Sequence, residues 1–332
     1  MSDNIMEIQS ENSGVPPLKV FLWATPRSVS TTFLKCMTSV PDTSAWYEPY
    51  VQMAKFSQDD DPKFFGPVKG LVEKLGGRGA IDKIESGFDA SDKTIDWLKE
   101  QLEGDFPGKK MVFVKELGPS IARPSPPLFD KIPKGFRHTF LMRNPRRMFN
   151  VQNVLKQRAN PKFKQNPSMA ADVIRPYQHL NELWKHVKAE SLEDHPIVID
   201  SDELSQHPKE ILEAYCKELG IPFSEELLTW EAGDEVMTKH WMVPKQTILT
   251  YRVNGTHTST FASTGFKPLV KPDDVNNNIP DASRMPEDKV PPEVLAQAKE
   301  FVESILRREV PYYEEMYDQR LRVDIKKTTN VM

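Results

Sequence analysis

Five short apolar runs lie along this chain, with helical patterns between them: Leu18 to Ala24, Thr43 to Tyr47, Lys110 to Lys115, Arg137 to Met142 and Pro196 to Asp200. Each is short and mostly β-branched or aromatic, which reads as a buried strand. Parallel strands need long crossover connections, and the helical patterns supply them. The alternation therefore predicts an α/β protein with a parallel sheet covered on both faces. Helices are expected over Thr31 to Ser39, Ser91 to Glu103, Arg146 to Gln157, Ala170 to Ala189, Pro208 to Leu219 and Pro292 to Tyr317. Within the fourth of these, Ile174, Tyr177, Leu180, Leu183, Trp184 and Val187 recur at helical spacing. The fifth has proline in its first turn and Gly220 just past its end, a start and stop pair.

A chain of 332 residues suits one large α/β domain or two small ones and is long enough to bury a sizeable core. A single domain is expected over 17–320, after a polar, acidic, disordered tail from Met1 to Pro16 and before a tail at 321–332. The net charge of -4 argues against a general nucleic-acid binder. The longest apolar run, Val20 to Ala24, is far too short to cross a membrane, and no secretory signal pattern opens the chain. Cys36 and Cys216 stand far apart and suggest neither a disulfide framework nor a zinc site. These features predict a cytoplasmic protein without a membrane or nucleic-acid partner. The histidines show no metal-ligand spacing, so no metal is expected. Ser57 to Phe88 and Gly233 to Glu287 fit no regular pattern and read either as covers over a binding site or as surface insertions.

The first strand runs into Thr25-Pro26-Arg27-Ser28-Val29-Ser30-Thr31-Thr32, and an amphipathic helix follows. In a parallel sheet that turn sits at the carboxyl edge, where ligands bind. The helix start offers unpaired N–H groups and the positive end of a dipole. Arg27 adds a guanidinium fork, and Ser28, Ser30, Thr31 and Thr32 add hydroxyls. This predicts a phosphate-binding loop for a phosphorylated nucleotide. It lacks the glycines and lysine of a Walker loop.

The loop Pro26-Arg27-Ser28-Val29-Ser30-Thr31 resembles the 5′-phosphosulfate loop of the sulfotransferases, which use 3′-phosphoadenosine 5′-phosphosulfate. With Pro41-Asp42-Thr43, Glu48-Pro49, Leu219-Gly220-Ile221-Pro222-Phe223 and Ser263-Thr264-Gly265-Phe266, it is similar to a sulfotransferase-like group. That group occurs in bacteria, plants and invertebrates and is sometimes labelled branched-chain aminotransferase-like. The resemblance spans most of Leu18 to Lys267. It implies a three-layer α/β/α fold with a central parallel sheet, P-loop nucleoside triphosphate hydrolase-like. It also implies the phosphosulfate donor as co-substrate, held by Pro26, Arg27, Ser28, Val29, Ser30, Thr31 and Thr32. Arg143-Asn144-Pro145-Arg146 is similar to the family's 3′-phosphate motif, and Arg146 and Arg147 strengthen its field. Where that motif carries Ser, this chain has Val151, and Asn150 is a candidate replacement.

Sulfuryl transfer needs positive donors on the shifting charge, a base for the acceptor proton and an acceptor held in line. Arg27 is the expected electrostatic stabiliser. Glu48, ending the second strand, is the first candidate base. Lys115 matches the lysine of the family's Lys-Thr-His segment. Glu116 is the second candidate base, with Leu117 at the histidine position. His240 and Trp241 resemble a His-Trp-Tyr segment and are candidate substrate contacts. Trp46, Tyr47, Tyr50 and Trp241 suggest an aromatic-lined acceptor pocket. The implied reaction moves a sulfuryl group to a hydroxyl or amine of a small molecule. A small-molecule kinase, or a nucleotide-binding protein without catalysis, stands as the alternative.

Overall fold

The computed structural model describes residues 16–59, 68–151, 154–155, 175–254, 258–266 and 289–324. Six strands are formed: β1 (Leu18–Ala24), β2 (Thr43–Tyr47), β3 (Met111–Leu117), β4 (Arg137–Met142), β5 (Ile197–Asp200) and the two-residue β6 (Trp241–Met242). They make one sheet in the order β5-β4-β1-β3-β2-β6, and every pairing is parallel. Helices α1 (Ser30–Thr38), α2 (Pro49–Phe56), α3 (Val68–Lys74), α4 (Gly77–Ile81) and α5 (Ile95–Glu103) precede β3. Then come α6 (Pro119–Ala122), α7 (Pro145–Met148), α8 (Pro176–Ala189), α9 (Ser201–Gln206) and α10 (Pro208–Leu219). The last are α11 (Lys245–Asn254), α12 (Thr258–Phe261) and α13 (Pro292–Tyr317).

Period-two alternation divides each of β1 to β5 between two cores. Phe21, Trp23, Trp46, Val112, Val114, Phe140 and Val198 face one side and pack with α2, α5, α8 and α13. Val20, Leu22, Ala45, Tyr47, Phe113, Leu141 and Ile199 face the other and pack with α1 and α10. The result is the expected three-layer α/β/α arrangement, buried on both faces as parallel sheets are. Among the described residues, no helix is long and apolar enough to cross a membrane.

Several boundaries depart from the periodic pattern. Helix α5 starts at Ile95, not Ser91, because Thr94 caps it by accepting from Trp97 N at 3.1 Å. The Ser91 hydroxyl is already spent on Asp89 and receives Gln246 Nε2 at 3.0 Å. Within the expected Arg146–Gln157 helix, α7 ends at Met148, where Phe149 turns to extended backbone; Val151, Val154 and Leu155 are helical again, and 152–153 and 156–157 lie outside the described residues. The first residues of the expected Ala170–Ala189 helix lie outside the described residues, and α8 itself begins at Pro176. The tail up to residue 15 also lies outside them. Of the tail expected at 321–332, Leu321 N donates to Val198 O on the edge strand β5 at 2.7 Å, and Leu321 and Val323 pack against the core.

The two irregular stretches meet each other beside β2 and β6. Phe88 N donates to Val243 O at 3.1 Å, and Lys245 N to Phe88 O at 2.7 Å. Gly87 makes this approach possible: it sits at φ 77°, and a Cβ there would lie 2.2 Å from Val243 O. Thr247 on α11 donates to Gln52 Oε1 on α2 at 2.8 Å, inside the protein.

Candidate functional site

Strand order decides which residues become neighbours at the carboxyl edge. Reading across β5, β4, β1, β3 and β2, the exits present Asp202, Arg143, Arg27, Lys115 with Glu116, and Glu48. Ala24 is level with Leu117 and with Leu141, so β1, β3 and β4 end together. The chain reaches β4 from β3 by crossing β1, and such reversals of strand order open the crevices in which ligands bind.

The loop after β1 contains no glycine, yet Arg27 has φ 62° and Val29 has φ 55°. Left-handed backbone at non-glycine residues costs about 1–3 kcal/mol each and persists where its surroundings enforce it. Here Ser28 Oγ donates to Thr25 O at 2.7 Å, and Thr25 N donates to Leu141 O at 3.0 Å. Ser28 is wholly buried; Ser30 and Thr31 are nearly so; Pro26 and Thr32 are half-buried; Arg27 is exposed. Val29 gives α1 no side-chain cap, and the first helical bond runs from Phe33 N to Val29 O. The N–H groups of the first turn therefore point to the carboxyl edge, with Arg27 above them. Such an arrangement binds anions.

Arg143 leaves β4 beside this loop and donates through Nη1 to Arg27 O at 3.3 Å. Its Nε donates to Asp202 Oδ1 at 3.2 Å, and its own carbonyl accepts from Tyr177 Oη at 2.5 Å. Burial, first of all, holds the Tyr177 hydroxyl in its protonated form, well above the ordinary tyrosine range. Arg147 reaches the other oxygen of Asp202, Nε to Oδ2, at 3.0 Å. Asn150 donates to Arg147 O at 3.3 Å and so turns toward the backbone of its own turn. Val151 packs against the core, which accounts for an apolar residue at that position. A helix of four residues brings almost no dipole, so guanidinium groups dominate the field here.

Lys115 and Glu116 project to opposite faces of β3. Lys115 takes the α1 face, where it pairs with Glu48 and lies 5.3 Å from the centre of the Tyr47 ring. Glu48 stands at φ 45° just before α2, and its N–H donates to Lys115 O at 2.7 Å. It is buried, does not cap α2, and is hydrogen-bonded by the Tyr47 hydroxyl. Lys55 approaches the same cluster; burial lowers its pKa, and the carboxylates of Glu48 and Glu116 oppose that shift.

Glu116 takes the α2 face and is wholly buried. Its Oε2 accepts from Tyr50 N at 2.6 Å and Val51 N at 3.3 Å, and its Oε1 from Leu117 N at 2.6 Å. The expected second base thus caps α2 from a neighbouring strand, with both oxygens occupied. Burial, then the nearby charge of Glu48, pushes its pKa up to about 8, against the pull of those N–H groups and Lys115.

The aromatic residues do not converge. Trp46 and Tyr50 belong to one core and Tyr47 and Trp241 to the other, because alternation sends strand neighbours to opposite faces. Trp241 is buried on β6, stacks on Tyr47 at 5.4 Å between ring centres, and donates to Thr38 Oγ1 at 2.9 Å. His240 is exposed at the end of a π-helical turn, Val236–His240. The late Ser263–Phe266 segment is tied beside α1: Lys35 Nζ donates to Ser263 O at 3.3 Å, and Phe266 meets Phe33 edge-on. Asp202 carried no motif. Its signal was only an acidic residue two positions past a strand that ends in Asp200. Among the described residues, no group of histidines, cysteines and carboxylates has the arrangement of a metal site.

Residues 189–285 match a sulfotransferase domain family. The chain is 26% identical over 224 residues to the branched-chain-amino-acid aminotransferase-like protein 2 of Arabidopsis thaliana, covering 64% of this chain and 32% of that protein. It spans about a third of the length of the curated relatives it matches. Two solved structures are similar at 14% identity. The sulfotransferase domain of the Synechococcus PCC 7002 olefin synthase has a TM-score of 0.42, with 87% of this chain and 96% of that one covered. The sulfotransferase domain of the curacin biosynthetic pathway has a TM-score of 0.43, with 86% and 98% covered. The family match begins after the Arg27 loop and the Arg143 turn and takes in β5, β6 and the segments that pack beside α1. Residues 189–285, less than half of the chain, are thus similar to a sulfotransferase domain family.

Proposed function

We propose that this protein is a sulfotransferase that moves a sulfuryl group from 3′-phosphoadenosine 5′-phosphosulfate to a hydroxyl or amine of a small molecule. The observation that carries this reading is the bond from Arg143 Nη1 to Arg27 O, which joins two separate anion motifs into one surface. A ligand with phosphate groups at both ends of a ribose suits two such motifs on adjacent strands.

In this reading the acceptor oxygen or nitrogen attacks sulfur, and the bond from sulfur to the 5′-phosphate oxygen breaks. Negative charge gathers on that oxygen, where Arg27 and the N–H groups of α1 stabilise it. Lys115, on the same face as α1, supports the same charge once it leaves Glu48. Glu48 then takes the acceptor's proton. Glu116 holds α2, and with it Glu48, in place.

Calorimetric titration with adenosine 3′,5′-bisphosphate and with ATP tests the reading. The bisphosphate should bind more tightly, and Arg27→Ala and Arg143→Ala should each weaken it about tenfold or more. ATP binding as tight as the bisphosphate would overturn it. Glu48→Gln should keep donor binding and lose turnover on a responsive acceptor.

A further inference from the structure

We propose that Arg147 is a second phosphate ligand beside Arg143, and that Asp202 is the positioning residue that aims both guanidiniums. This rests on the reading of the site as a bisphosphate-donor site and goes beyond it by naming how the second phosphate is held.

One carboxylate bridges two arginines. Asp202 Oδ1 accepts from Arg143 Nε at 3.2 Å, and Oδ2 accepts from Arg147 Nε at 3.0 Å. Both contacts to Asp202 use Nε, so the carboxylate does not occupy the Nη groups. Arg143 spends Nη1 on Arg27 O, which fixes its plane against the loop. The remaining Nη groups of the two arginines are the donors that match a phosphate's oxygens.

Asp202 is itself rigidly held. It lies in the first turn of α9, its N–H donates to Asp200 Oδ1 at 2.9 Å, and its side chain is 12% exposed against 20% for Arg143 and 26% for Arg147. The exposure gradient runs from a sheltered anchor to two accessible donors. Asp202 and its two arginines sum to +1, and the Asp200 carboxyl, which accepts from Asp202 N, stands next to them.

The two neighbouring positions, 150 and 151, are used elsewhere. Val151 is committed to the core, and Asn150 donates to Arg147 O, which steadies the turn that carries Arg147. The second phosphate therefore meets two charged forks rather than one fork and a neutral side chain.

The test compares adenosine 3′,5′-bisphosphate with adenosine 5′-monophosphate by calorimetry on the full chain. Arg147→Ala should weaken the bisphosphate about tenfold to a hundredfold and the monophosphate less than about twofold. If Arg147→Ala fails to fold, Arg147→Gln carries the same expectation. Asp202→Asn adds one unit of positive charge to the site. A purely electrostatic role would then tighten the bisphosphate, with its extra phosphate charge, more than the monophosphate and raise the preference. A positioning role lowers the preference for bisphosphate over monophosphate by about threefold or more. Lys209→Ala removes an exposed α10 charge paired with Glu225 and should change neither ligand. Equal losses on both ligands in the Arg147 variants, or an undiminished preference in Asp202→Asn, would overturn the proposal alone. A wild-type chain that binds the monophosphate as tightly as the bisphosphate would overturn it together with the donor reading.

Discussion

Replacing Lys115 with Met separates an ion pair that the fold has taken almost wholly out of water. The side chains of Lys115 and Glu48 are 1% and 8% exposed. Removing one partner of such a pair costs about 3–5 kcal/mol, because the remaining charge is left buried. The Tyr47 hydroxyl stays bonded to Glu48, and Lys55 still faces the cluster, so the loss should lie near the lower bound, about 3 kcal/mol at pH 7. Urea titrations followed by tryptophan fluorescence should show a lower midpoint with an unchanged slope. The sign of the pH response follows from the buried carboxylate. Without Lys115, the folded state binds a proton at Glu48 more tightly than the unfolded chain does. The deficit relative to wild type should therefore grow as pH rises and shrink toward pH 5, by at most about 1.4 kcal/mol per unit. Adding Glu48→Gln removes the stranded charge and should recover about 2 kcal/mol, seen as a coupling energy in the double-mutant cycle. A single-variant loss below about 1 kcal/mol, or a double variant no more stable than Lys115→Met, would refute the buried-pair reasoning.

Three further outcomes follow from the same structure. Glu116→Ala strands the N–H groups of Tyr50 and Leu117 and should cost about 2 kcal/mol, with faster hydrogen exchange at the start of α2; exchange unchanged there counts against the capping role. His138 accepts from Trp23 Nε1 at 3.0 Å, and burial, with a smaller push from His186, lowers its pKa to about 4. The unfolded chain then binds the extra proton, so about 3 kcal/mol of stability present above pH 6.5 should be lost as pH falls toward 4; a wild-type stability advantage over His138→Phe that stays flat from pH 7 to 4 would sink this. Gly87→Ala combines φ 77° with a Cβ 2.2 Å from Val243 O and should cost at least about 2 kcal/mol, read as a lower urea midpoint.

Much of the sheet was legible because burial on both faces leaves a continuous apolar run. The boundaries of β1, β2 and β4 coincide with the runs at Leu18 to Ala24, Thr43 to Tyr47 and Arg137 to Met142. The two-residue β6 was not legible, since two residues carry no period. Helix α10 was readable from Pro208 and Gly220, which act within their own turns. The start of α5 was not, because the hydrogen bonds of Ser91 run to Asp89 and to Gln246, far along the chain.

By itself the sequence determined which residues could chemically serve an anion: Arg27, Arg143, Arg147 and the hydroxyls of the first loop. It also determined, through alternation, that Lys115 and Glu116 would face opposite sides of a strand. Only the tertiary structure decided who stands beside whom. Glu48 meets Lys115 across 67 positions and Arg143 meets Asp202 across 59, because β3 lies next to β2 and β4 next to β5. Local periodicity reports the face a side chain takes and holds no record of strand order. The pairing of distant strands sets that order, and it turned Glu116 from a candidate base into a helix cap and gave Asp202 its two arginines.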